Sequence, residues 1–158
     1  MRRSVLIALL LGLFVGVANL SAKDSQPKYK NAEVKYFTNG DAVGLSQHLV
    51  NMFCDSLRAQ LLKDKVAAQV VDEGAAVPEA DAADSIVVEG KFTEFKKAGR
   101  TMASPGKMGW DINLYRKSDH SLITNVTGSD STMPGWTEDQ LAKGMAIRVS
   151  YLIKKALK

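Results

Sequence analysis

Cysteine is almost absent from this chain: Cys54 is the only one in 158 residues. A single thiol cannot close an internal disulfide, nor can it supply a cysteine-rich metal site. Histidine is nearly as scarce, with His48 and His120 alone. One turn to either side of His48 stand Gly44 and Met52, so the second imidazole that a metalloprotease helix needs is missing. No serine has the spacing of a nucleophile elbow, and no glycine loop ends in the Lys-Ser or Lys-Thr that cradles phosphate. Charge of one sign is also modest. The formal net charge is +4 and Arg2 and Arg3 supply half of it, far from the basic surface of a nucleic-acid binder. These absences exclude the familiar reaction centres. The expectation is a non-catalytic protein with no cofactor, no metal and no nucleic-acid partner.

What is present starts with the first 22 residues. Arg2 and Arg3 form a basic head, Val5 to Val17 run for thirteen residues without a charge, and Ala18 to Ala22 lead out to Lys23-Asp24. That order is the order of a secretory signal peptide. A helix of thirteen residues spans roughly 20 Å, short of the ~30 Å hydrocarbon layer, so cleavage after Ala22 is expected rather than an uncleaved anchor. The membrane then matters only before cleavage, and with no cysteine at the junction no lipid anchor is expected. An exported domain without disulfides suits a bacterial periplasm, or secretion, better than a small disulfide-stapled scaffold. Residues 23–31, polar and containing Pro27, read as a flexible leader, and residues 32–158 as one domain.

Ala32 to Thr38 alternates as a strand, with Val34 and Tyr36 on one face and Glu33, Lys35 and Phe37 on the other. From Val43 to Lys65 the period becomes helical. Leu45, Leu49, Met52, Phe53, Leu57 and Leu61 form the apolar stripe, and Gln47, Asn51, Asp55 and Arg58 face away. Cys54 falls on that stripe's edge and reads as a small buried hydrophobe. Ala67 to Val71 is a second strand, parallel to the first because a helix connects them. Asp72 to Asp84 carries five acids, with Gly74 and Pro78, and reads as a solvated surface loop.

Three more strands follow, Ser85 to Phe95, Gly109 to Lys117 and Leu122 to Ser129, joined without a crossover helix and therefore antiparallel. Ile86, Val88, Gly90, Phe92, Trp110, Ile112 and Leu114 share the inner face, while Glu89, Lys91, Asn113 and Tyr115 share the outer one. Pro134-Gly135 breaks the chain, Thr137 caps a last helix, and Leu141, Met145, Val149, Leu152 and Ala156 supply its apolar side. The predicted fold is α+β, in the order β-α-β-β-β-β-α: a two-layer sandwich with a mixed five-stranded sheet and two helices on one face.

Lys96 to Lys107 stands out on an otherwise quiet surface. It links two strands with about twelve residues and holds Lys96, Lys97, Arg100 and Lys107 with no acid. These four are the candidate binding residues, facing an anionic partner or an envelope protein. A rival reading puts a small hydrolase or transferase site at His120, Asp119 and Tyr115, and a third makes the chain a subunit that oligomerises by edge pairing.

The run Ser85-Ile-Val-Val-Glu-Gly-Lys-Phe, then Gly99-Arg100, then a glycine-bearing stretch to Gly109 and a strand ending near Asp119, resembles an uncharacterised bacterial family of exported-protein and lipoprotein domains with a Gly-Arg loop. In outline it is similar to the curli-secretion lipoprotein and to the N-terminal domain of the TolB translocation protein. The resemblance implies a two-layer fold and an exported location, and brings no catalytic residues with it. The expected function is an exported periplasmic binding or envelope-assembly module.

Overall fold

The computed structural model describes residues 26–40, 44–99, 105–132 and 135–158. The segment expected to be a signal peptide, Lys23 to Ser25 and the candidate Arg100 lie outside the described residues. The elements are β1 (Tyr29–Val34), α1 (Gln47–Lys63), β2 (Ala67–Val71), α2 (Glu79–Ala82), β3 (Ser85–Lys96), β4 (Gly106–Arg116), β5 (Leu122–Thr132) and α3 (Glu138–Ala156). The sheet order is β2-β1-β3-β4-β5, with β1 parallel to both its neighbours and β3, β4 and β5 antiparallel. α1 and α3 pack together against one face, as the apolar pattern requires.

Both long helices begin at polar caps. Ser46 accepts the Leu49 N–H, and Thr137 forms a reciprocal capping box with Gln140. The core gathers Leu49, Phe53, Leu57 and Leu61 of α1 with Leu141, Met145, Val149 and Ile153 of α3, over Val88, Phe92, Trp110, Ile112 and Leu114. Cys54 lies fully buried among them, as expected. On α3 the stripe runs through Ile153 and Leu157 rather than Ala156, which is exposed.

β1 departs from its predicted span of 32–38. It starts at Tyr29, inside the segment read as a leader, because Tyr29 N–H and its successors pair with the start of β2. It ends at Val34, and the alternation breaks there. Tyr36, expected on the same face as Val34, is 53% exposed, while Phe37 turns into the core with Val34, against Phe53 and Phe92 with ring centroids 5.1 and 5.7 Å away. Gly90 makes room for this turn, since a Cβ there would lie 2.2 Å from the Phe37 ring. Arg58, expected to face solvent, instead donates to the Val34 carbonyl at 2.8 Å and lies over the Tyr36 ring.

The acidic connection 72–84 is more than a solvated loop. It crosses β1 on the face away from the helices, where Gly74 N–H donates to Glu33 and Ser85 Oγ donates to the Asp81 carbonyl. Its alanines form the four-residue α2, which Pro78 precedes as N-cap, where a missing N–H does no harm.

Candidate functional site

The strands flanking the basic segment are longer than predicted. Lys96 and Lys107 are strand residues standing opposite each other, and the connection runs only from 97 to 105. Polar and glycine residues at strand ends resemble a loop in sequence, and the ladder claims them. Lys107 forms an ion pair with Glu94 at 2.7 Å, so it is not a free cation of the loop. Lys96 is exposed at the strand end.

Lys97 is the candidate residue that reaches a concavity. A cleft of about 600 Å³ lies where the β3–β4 connection meets the starts of both long helices. Leu49 of α1, Phe95 of β3 and Leu141 of α3 give it apolar walls, Trp136 forms one side, and Lys97 and Glu138 bring opposite charges to it. Trp136 is 41% exposed yet rests on α3, because Gly144 offers no Cβ to push it away. It stands just before the Thr137 cap, with Leu141 four residues into the helix, the spacing of a hydrophobic staple. Both helices point their N-terminal, partially positive ends at the cleft. Glu138 and Asp139 offset that field at α3, while the first turn of α1 holds no acid. The cleft is therefore an apolar hollow with a lysine and an uncompensated helix start, suited to a ligand with an apolar or ring-shaped body and a negative group.

Sequence reasoning missed Trp136. The only available signal was an aromatic residue beside the Pro134-Gly135 break that no helical or strand period required.

The rival site is distributed differently. His120 takes a left-handed backbone (φ 54°) in the β4–β5 turn and stacks on Tyr115 at 4.3 Å between centroids. Its Nε2 lies 3.8 Å from Glu89, whose carboxylate also meets Lys35. Asp119 accepts from the N–H and the hydroxyl of Ser121, which fixes the turn and lowers its pKa. His120 is 58% exposed in its side chain, and Asp119 is similarly open. Tyr115 and His120 thus meet on open surface, with Asp119 engaged in its own turn.

On the same outer face, under the 72–84 connection, Glu33 is buried against Lys117 and the Gly74 N–H. Burial alone would raise this carboxyl. The Lys117 and Gly74 hydrogen bonds and the charges of Lys117 and Lys35 outweigh it and hold the carboxyl below its ordinary value. Asn31 donates to Ser85 Oγ beside it at 3.0 Å. Asn125 on β5 bridges Asp111 and Asn113. Among the described residues no group of three or more His, Cys, Asp or Glu is placed to hold a metal ion, and no helix is long and apolar enough to cross a membrane.

No family model and no curated protein matches this chain. Solved structures do. A PelC dodecamer from Paraburkholderia phytofirmans, in a single-substitution variant, superposes with a TM-score of 0.51 at 16% identity, covering 80% of this chain and 88% of that one. Protein XCC0632 from Xanthomonas campestris, of family model DUF330, gives 0.50 at 11% identity over 84% and 90%. A neuraminyllactose-binding hemagglutinin homologue from Helicobacter pylori gives 0.52 at 12% identity over 84% and 86%. The likeness is one of fold. It agrees with the resemblance to bacterial domains at the level of architecture.

Proposed function

We propose that this chain is an exported, non-catalytic binding or assembly module of a bacterial envelope, and that it takes an anionic partner in the cleft beside Trp136. The cleft carries the reading: it joins Lys97 of the predicted basic segment to an exposed aromatic ring, apolar walls and an uncompensated helix start. Lys96 and Arg100 belong to the same basic segment of the sequence. Open exposure of His120 and Asp119 supports the non-catalytic reading, because acid–base chemistry gains from a concave, water-poor site.

Fluorescence tests the proposal, since Trp136 borders the cleft and the other tryptophan, Trp110, is buried. Titration with acidic peptides and with anionic oligosaccharides should change the emission. Replacing Lys96, Lys97 and Arg100 together by Ala should abolish that change with the fold intact. A flat response across both ligand classes would remove the cleft from the function.

Edge pairing is a second reading with its own support. β5 is an edge strand of eleven residues with neither lysine nor proline to discourage pairing, and the PelC structure of similar fold is a dodecamer. Solution mass decides it: a monomer across a concentration series excludes it.

A further inference from the structure

α1 and α3 run parallel, so their C-terminal ends meet on the side of the molecule opposite the cleft. Asp64, the C-cap of α1, accepts from Ser150 Oγ of α3 at 2.6 Å and from Gln60 Nε2 at 3.0 Å. Around this fastening Lys28, Lys65, Lys154 and Lys158 line one hollow, and Lys155 joins Lys154 and Lys158 along the next. None of these five lysines forms an ion pair among the described residues, although eight other lysines and arginines do. Compensation of helix dipoles accounts for Lys154 and Lys155, in the last turn of α3. It accounts equally for Lys65, next to the C-cap of α1, but not for Lys28, which precedes a strand.

Two further observations say what this end meets. Ile147 and Tyr151, one turn apart on α3 and each 54% exposed, border the same hollow as Lys154, Lys155 and Lys158. Exposed apolar and aromatic side chains next to lysines form the composition of a surface that lies in a lipid headgroup layer. Gln26 lines the adjoining hollow, so the segment that carries the apolar run Val5 to Val17 joins the domain at this end.

We infer that the lysine-bearing end of the helix pair is a docking surface for anionic phospholipid, with the lysines on the headgroup phosphates and Ile147 and Tyr151 at the acyl boundary. This rests on the envelope reading above only in that a membrane must be at hand. The domain would then hold its cleft away from the lipid.

The test uses the chain recovered from a bacterial envelope fraction. Its affinity for vesicles of phosphatidylglycerol and phosphatidylethanolamine in equal parts is divided by its affinity for phosphatidylcholine vesicles, so any contribution of the apolar run cancels. Substituting Lys154, Lys155 and Lys158 together by Ala should lower that ratio roughly a hundredfold, about fivefold per lysine near an anionic surface. Lys91→Ala, exposed on β3 and outside both sites, should leave it unchanged. Circular dichroism confirms the fold of each variant. The inference is overturned if the triple variant keeps the ratio, if both variants lose it equally, or if the lysines instead prove to hold a second copy of the chain by sedimentation. Cell fractionation reports the envelope reading separately, so the two can fail independently.

Discussion

Asn31, Ala32, Glu33 and Val34 of β1 are all buried, and so are Ser85 to Val88, the four residues of β3 paired with them. Beyond that point the sheet is one-sided: Phe92, Trp110, Ile112 and Leu114 are buried while Lys91 and Thr93 are exposed and Asp111, Asn113 and Tyr115 only partly covered. The contrast follows strand direction. A parallel connection has to cross the sheet, and here the 72–84 segment crosses β1 opposite α1, leaving Asn31 to Val34 no wet side. An antiparallel meander turns back at its edges and leaves one face to water. Covering the second face also places Asn31, Glu33 and Ser85 in the interior, where each must find a partner. That is why the buried polar contacts gather in the parallel half.

The largest expected effect lies on the face both halves share. Ile112→Ala should destabilise by about 2–5 kcal/mol in urea titration, because the side chain is wholly buried. A loss under about 1 kcal/mol would mean that the helix side of β4 is not core. Lys117→Met strikes the two-sided half, leaving Glu33 buried with only the Gly74 N–H, and should cost about 1–3 kcal/mol. Adding Glu33→Gln should recover part of that loss. Gly90→Ala tests the close approach of Phe37 and should cost a similar 1–3 kcal/mol through overpacking.

Acid sharpens the same contrast. Glu33 titrates in the folded protein below its ordinary 4.5, so its contribution is complete above that pH and is lost as pH falls through the lower folded value. Glu33→Gln should flatten that part of the stability profile. The smallest effect is expected at Tyr115→Ala, about 1 kcal/mol, since the ring is only partly covered and stacks on the exposed His120. A larger loss would show that the meander has a covered second face after all.

Element order, the parallel first pair and the inner faces of β3 and β4 were legible because one-sided burial writes a period into the residues. The two-sided half wrote none: four consecutive buried residues in β1 hide the strand's start, and Phe37 follows a break that only Gly90 explains. Arg58 misled because a charged residue on a helix period reads as solvent-facing, whereas its guanidinium reaches the Val34 carbonyl. The basic segment was found, but its length was overstated, since Lys96 and Lys107 are ladder partners. The cleft could not be read at all. Its walls come from residues near 49, 95 and 141, which no local pattern connects.

Cys54 carries a practical consequence of this core. Burial raises its thiol, opposed by a hydrogen bond from the Phe37 backbone, and the side chain has no exposed surface. In the folded molecule the sulfur is therefore withheld from oxidants, disulfide exchange and alkylating reagents alike. A thiol reagent can reach it only when the packing between α1 and the sheet opens. The rate of its modification is thus a clock for that opening, built into the native sequence and readable by mass in crude extracts without any added label.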